Sequence, residues 1–259
     1  MNKNSSILLI VEGAKAEKKL VEKLFEIYDI NVSESQIYSY TTNIYDLYDR
    51  VFKDSLDELD DLDFLLTLKE KGINKAQQNI LTDREYSDVI LIFDYEPQDD
   101  KFSIDKIAVM MKYFSESTDK GKLYLNYPSV ESFKHFKSIP DPEYINRYYY
   151  LNELLTNKGS VYKQIVGNES IVTDLKKFTK DIFNYIIHEN IIKAEKIESA
   201  QISNNIKESY FNLNEIRLLT KINTVFKNDK IIPVLNTCLF FICEYNINLI
   251  LQKESTTYD

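Results

Sequence analysis

The chain is expected to form an α/β fold, a mostly parallel sheet flanked by helices, followed by an all-α C-terminal domain. Three observations lead there. Short apolar runs alternate with helix-like stretches through the first half. The runs are continuous, as in Ile7-Leu8-Leu9-Ile10-Val11 and Val89-Ile90-Leu91-Ile92-Phe93, which suits strands buried in a parallel sheet. After Ser138-Ile139-Pro140-Asp141-Pro142 the strand signals stop and helical spacing takes over. The expected division is therefore 1–137 and 138–259, the second part serving interaction or regulation.

Taken in order, strand Ile7–Val11 stops at Glu12-Gly13. A helix follows over about 14–28, with Leu20, Val21, Leu24, Phe25 and Tyr28 at the spacing that faces a sheet. Gln36–Thr42 reads as a second strand. Asn43 to about Glu70 reads as helix with a break near Asp54–Ser55. Six acids between Asp54 and Asp63 alternate there with Leu56, Leu59, Leu62 and Leu66, the pattern of a solvated helix face. Gly72 interrupts, and Lys75–Leu81 reads as a short helix. Ser87–Phe93 is the third strand and runs into Asp94-Tyr95-Glu96. Ser103 is an N-cap for a helix carrying Ile107, Met110, Met111 and Phe114. Gly121 ends that crossover, and Lys122–Leu125 is the fourth strand, followed by Asn126-Tyr127-Pro128-Ser129-Val130-Glu131. Beyond the prolines, helices are expected over Glu143–Leu155, Ile171–Lys196, Lys207–Lys227 and Ile231–Gln252.

Composition narrows the function classes. The net charge is −9, with 26 acids and 18 bases in residues 1–137 and 15 and 14 in residues 138–259. That balance does not suit a protein that coats nucleic acid through broad phosphate neutralisation. It is compatible with a nuclease whose acids hold metal and whose basic surface is local or lent by a partner. The most apolar window, Ile231–Leu251, carries Pro233, Asn236, Glu244, Asn246 and Asn248, so a buried helix is expected there and not a membrane span. Cys238 and Cys243 read as buried thiols, and a cytoplasmic protein is expected. There is no P-loop, no G-x-G-x-x-G, no nucleophile elbow and no zinc-type Cys/His spacing.

The informative pattern is acidic. Three strands each deliver acids at or just past their C-terminal ends, and in a parallel sheet those ends share the edge where ligands bind. Carboxylates gathered there repel one another unless a cation sits between them, and oxygen-only donors suit Mg²⁺ or Mn²⁺. Asp94 and Glu96, at i and i+2 after a strand, can point to one side of its exit. Asp99 and Asp100 read as a solvated loop.

Leu8-Leu9-Ile10-Val11-Glu12-Gly13 followed by Asp94-Tyr95-Glu96 resembles the Toprim pattern of a glutamate after the first strand and a D-x-D after a later one. The match is closer to RloB-like Toprim proteins of bacterial phage-defence systems, relatives of the OLD-family nucleases. Glu12-Gly13-Ala14-Lys15-Ala16-Glu17 is similar to their E-G-x-K-T-E opening, with Ala16 in place of Thr. Asn126 to Glu131, with His135-Phe136 downstream, is similar to their N-P-x-x-E and H-F segments, with one extra residue between Asn and Pro. Glu96 replaces the second aspartate of D-x-D. The resemblance spans about residues 5–137.

It implies a Toprim-like sheet and Mg²⁺- or Mn²⁺-dependent phosphodiester cleavage. Glu12, Asp94 and Glu96 would hold the metal, and Glu12 would also act as general acid or base. Glu131 would join the catalytic set. Lys15, Glu17, Asn126 and His135 become candidates for phosphate contact or support of the site, His135 equally readable as structural. The implied role is a toxic effector in anti-phage defence that acts on RNA, tRNA included, with DNA as the alternative substrate. A separate ATPase would sense infection, and that partner or a homo-oligomer would complete the nucleic-acid surface. The competing expectation is a non-catalytic Toprim shell that serves interaction or regulation beside an ATPase.

Overall fold

A computed structural model describes residues 6–13, 15–30, 34–72, 74–150 and 160–251. It is a mixed α/β structure with a mostly parallel sheet flanked by helices. The strands are β1 (Ser6–Val11), β2 (Glu34–Ser39), β3 (Asp88–Asp94), β4 (Ser115–Glu116) and β5 (Gly121–Tyr127). They lie in the order β2-β1-β3-β5-β4. The pairs β1–β2, β1–β3 and β3–β5 are parallel, and β4 closes the edge antiparallel to β5. Ile7–Val11 and Val89–Phe93 are buried throughout, as continuous apolar runs require when both faces are covered. Gly121 begins β5 at φ +120°, a conformation L side chains avoid, and an added Cβ would lie 3.0 Å from Leu91 Cδ1.

The connections follow the expected scheme with local differences. Helix α1 (Ala16–Ile27) buries Leu20, Val21 and Leu24. Position 14, where the helix was expected to begin, lies outside the described residues. The stretch expected as helix with a break near Asp54–Ser55 does break there and is three pieces: α2 (Ile44–Leu47) running into a π-helical turn at Tyr48–Phe52, a 3₁₀ turn at Leu56–Glu58, and α3 (Phe64–Lys71). The acidic run is solvent-exposed as expected, but on turns and not on a helix face, and Leu56 and Leu66 are exposed with it. Asp63 explains the start of the third piece, because its side chain accepts from the Leu66 N–H and begins a new helix. The expected helix over Lys75–Leu81 is a turn followed by a 3₁₀ segment, Gln78–Leu81. Helix α4 (Ile104–Tyr113) starts at the Ser103 cap and buries Ile107, Met110 and Met111.

The C-terminal half departs further. Its helices are α5 (Ser160–Glu169), α6 (Lys180–Ser199), α7 (Ile206–Phe211), α8 (Glu215–Asp229), α9 (Phe241–Asn246) and α10 (Asn248–Leu251). An all-α composition is not what forms, because three strands lie among the described residues of this half. In place of the first expected helix, a 3₁₀ turn at Tyr144–Asn146 leads into β6 (Tyr148–Tyr150); positions 151–155 are outside the described residues. In place of one helix over Ile231–Gln252, β7 (Ile231–Pro233) pairs with β6, and β8 (Leu235–Asn236) pairs antiparallel with β5. Pro233 cannot continue a helical ladder, and a run of aromatic and β-branched residues suits a pleated surface. A continuous apolar run does not by itself separate buried helix from buried strand. One cluster of buried residues extends from Ile7 to Ile250. Among the described residues no helix is long and apolar enough to cross a membrane.

Candidate active site

The parallel register brings the acids of β1 and β3 together. Val11 pairs with Ile92, so Glu12 and Asp94 leave adjacent strands at the same edge. Glu12 N–H donates to the Ile92 carbonyl at 3.2 Å, and the Asp94 N–H donates to Glu12 Oε2 at 3.3 Å. Asp94 Oδ1 in turn accepts from the Val130 N–H at 2.9 Å. Val130 belongs to the loop that leaves β5, where Asn126 stands opposite Asp94. Three strand exits thus meet around one carboxylate.

Glu96 follows two residues later at φ +27°, a region non-glycine residues rarely occupy and one associated with functional sites when held. The turn is pinned by Tyr45, whose hydroxyl donates to the Tyr95 carbonyl at 2.6 Å. Glu17 is buried in the first turn of α1, and an added Cβ on Gly13 would come within 3.1 Å of Glu17 Oε2. Glycine at 13 therefore leaves space for that carboxylate.

The electrostatics follow from crowding. Burial, then Glu96, pushes the Glu12 carboxyl up to about 8, with Glu17 and Asp99 adding to it and the Asp94 N–H opposing it. Burial, then Glu12, raises Asp94 well above the usual carboxylate range, with Glu17 and Glu96 adding and the Val130 N–H opposing. Glu17 and Glu96 are raised too, each chiefly by burial. Among the described residues no Lys or Arg lies within ion-pair distance of Glu12, Asp94 or Glu96. Like charges buried without counter-charge hold protons or a cation.

A cavity of about 160 Å³ opens on this edge, lined by Asp94, Glu96, Gln98, Pro128–Glu131, Tyr162 and Lys163. Glu131 is buried at its wall. Lys134 Nζ lies 2.5 Å from Glu131 Oε2, a contact without hydrogen-bond alignment, and Lys163 Nζ lies 3.8 Å from Oε1. Tyr162 and Lys163 come from α5. Sequence reasoning missed both, because nothing in a helix of ordinary composition marks the two residues that reach a distant sheet edge.

The remaining candidates divide. Asn126 is fully buried beside the acids; its Oδ1 accepts from the Cys238 N–H at 3.4 Å and its Nδ2 has no partner. Lys15 is exposed at the N-terminal boundary of α1. His135 is buried behind the cavity wall, with Nδ1 3.2 Å from the Tyr162 hydroxyl and Nε2 3.1 Å from Glu169 Oε2. Burial lowers its proton affinity, although Glu169 opposes this. Asp99, expected as part of a solvated loop, accepts from Asn43 Nδ2 at 2.6 Å and adds to the charge felt by Glu96.

The donors are carboxylate oxygens, the type that suits a hard divalent cation. As a set they stand apart: among the described residues no three Asp, Glu, His or Cys side chains are gathered closely enough to hold a metal ion. No protein-family model matches the chain, and no curated protein and no solved structure matches it either.

Proposed function

We propose that this chain is a Toprim-like, Mg²⁺- or Mn²⁺-dependent endonuclease that acts as a toxic effector in anti-phage defence. The observation that carries the reading is the junction of Glu12 and Asp94. Two acids far apart in the chain meet at the exits of adjacent parallel strands, linked by a hydrogen bond; burial raises both carboxyls, and the charge of Glu12 raises Asp94 further. The reading assigns the cation to Asp94, Glu96 and Glu12, which in this structure are not gathered closely enough to hold it and would have to draw together around it; when bound, the cation would supply Lewis-acid polarisation of a phosphate.

The other groups have roles suited to cleavage of a phosphodiester. Glu12, with its carboxyl pushed up to about 8, can hold a proton at neutral pH and exchange it with an oxygen at the reacting phosphate. Lys163, with its side chain 71% exposed at the cavity mouth, is placed to meet a phosphate oxygen, and Lys134 flanks it on the Glu131 side. Tyr162 walls the cavity. His135 serves by holding Tyr162, since both of its ring nitrogens are engaged away from the acids.

RNA, tRNA included, is the favoured substrate class and DNA the alternative. Net charge −9 and a cleft lined by acids make an isolated chain a weak nucleic-acid binder. A separate ATPase or a homo-oligomer in the cytoplasm would complete the binding surface and keep the toxic activity latent. The competing reading is a non-catalytic Toprim shell that partners an ATPase. It is favoured by the ungathered donor set and by Glu96 and Ala16 in place of Asp and Thr.

The test is cleavage by the purified chain of tRNA, unstructured RNA, single-stranded and duplex DNA, with Mg²⁺, with Mn²⁺ and with chelator. Metal-dependent cleavage lost in Asp94→Ala is the expected result. No cleavage of any substrate, alone or with the product of a neighbouring ATPase gene, supports the interaction reading instead.

A further inference from the structure

The Val130 N–H that meets Asp94 is itself held from the C-terminal half. Asn236, fully buried on β8, donates from Nδ2 to the Val130 carbonyl at 2.9 Å and to Ser132 Oγ at 3.2 Å. Its own backbone N–H donates to Asn190 Oδ1 at 2.7 Å, an oxygen that also accepts from the Tyr144 hydroxyl at 2.8 Å. Asn190 is anchored on α6 through Nδ2 to the Ile186 carbonyl. The Cys238 Sγ–H reaches Asn236 Oδ1 at 3.0 Å, and the Cys238 N–H reaches Asn126 Oδ1. Val130 is therefore gripped on both sides: its N–H by the carboxylate of Asp94 and its carbonyl by the amide of Asn236. A buried amide this well partnered has little freedom, because each lost bond would leave a desolvated polar group.

We propose that Asn236 is a positioning residue for the acidic site, holding the Val130 loop so that its N–H stays aimed at Asp94. The C-terminal half thereby sets the orientation of the carboxylate it does not itself carry. This rests on Asp94 belonging to the proposed site. Partners that orient a ligand from behind typically change metal affinity or activity by about 10–100-fold when removed. Ser132 shares the same amide but does not touch Asp94, which makes it an internal control.

The experiment uses the full chain and the variants Asn236→Ala, Asn236→Asp and Ser132→Ala. Asn236→Asp keeps shape but replaces the donating amide, so it serves if the alanine variant does not fold. Amide hydrogen exchange reads the clamp without any assay of cleavage. The expected result is loss of protection at Val130 by about tenfold or more in both Asn236 variants, with the β3 amides of Ile90–Phe93 unchanged and Ser132→Ala like the unsubstituted chain. In the unsubstituted chain the Asn236 side-chain amide protons should exchange slowly. Rapid exchange there, unchanged protection at Val130, or an equal loss across β3, overturns the proposal. In parallel, calorimetric titration with Mn²⁺ alone should give about tenfold weaker binding in the Asn236 variants. Failure of the unsubstituted chain to bind Mn²⁺ or to cleave overturns the proposed function and leaves the exchange result to decide the clamp.

Discussion

Glu12 shows how a single buried residue can join a proposed chemical role to a stability cost. Its carboxyl is pushed up to about 8 in the fold, against an ordinary glutamate value near 4.5 in the unfolded chain. Between those values the folded state binds more protons than the unfolded state, so stability falls as pH rises through that window. Below about 4.5 the penalty is absent, and above about 8 it is complete. Melting of the metal-free chain in chelator should therefore drop between pH 5 and pH 8, and Glu12→Gln should flatten that slope. A slope unchanged by the substitution counts against the buried-acid description. Asp94→Asn keeps an oxygen for the Val130 N–H while removing a charge. We expect it to raise the metal-free melting temperature by about 2–4 °C, a change on the order of 1 kcal/mol for a chain of this size, and to abolish any stabilisation by Mg²⁺. A functional site that destabilises its fold shows this trade.

At the scale of elements, the segment from Lys137 to Arg147 ties β5 to the strands that follow. Asp141 is its knot: both oxygens meet Arg147, at 2.8 and 3.3 Å, and also accept from the N–H groups of Lys137 and Glu143. Burial pushes the Asp141 carboxyl up, but those hydrogen bonds outweigh it and hold the carboxyl below the usual range. The sign is opposite to that of Glu12. This contribution is present above pH 4 or so and is lost as pH falls through the depressed value. Arg147→Met leaves a buried carboxylate uncompensated and removes the donor to the His135 carbonyl; a loss of about 3 kcal/mol is expected in urea unfolding at pH 7. A loss under 1 kcal/mol would mean the pair is solvated. Helix α6 offers a milder check, since Thr179 caps it through the Ile182 N–H, and Thr179→Ala should cost about 1 kcal/mol.

Over the whole molecule, the buried cluster passes from the sheet into the C-terminal helices without interruption. Strand β8 extends the main sheet, Thr237 Oγ1 donates to the Leu125 carbonyl at 2.5 Å, and Phe25 of α1 packs edge-on against Phe241. Residues 1–137 expressed alone would expose the apolar surface that these elements cover. They are expected to lack a cooperative thermal transition, whereas the full chain melts in one. A soluble 1–137 fragment with a sharp melt and Mn²⁺ affinity equal to that of the full chain would refute this. The hydrogen bonds that complete the site have long reach: Asn236 and Val130 are separated by 106 positions.

That separation also marks what could be read from residues alone. The runs Ile7–Val11 and Val89–Phe93, the Ser103 cap and the acids at the strand exits were legible, because each is a local pattern whose physics acts over a few residues. A parallel sheet then forces Glu12 and Asp94 to one edge. The other half of the site was not legible. Ile231–Leu251 has the composition of a buried segment of either kind, and only pairing with Tyr148–Tyr150 and with Asn126–Tyr127 makes its start a pair of short strands. Lys163, Tyr162 and Asn236 carry no local signature, and the direction in which His135 points depends on Tyr162 and Glu169 from a helix elsewhere in the chain. Local sequence determined the strand ends and the acids they deliver; tertiary packing decided what surrounds them, because that depends on which distant surfaces bury one another.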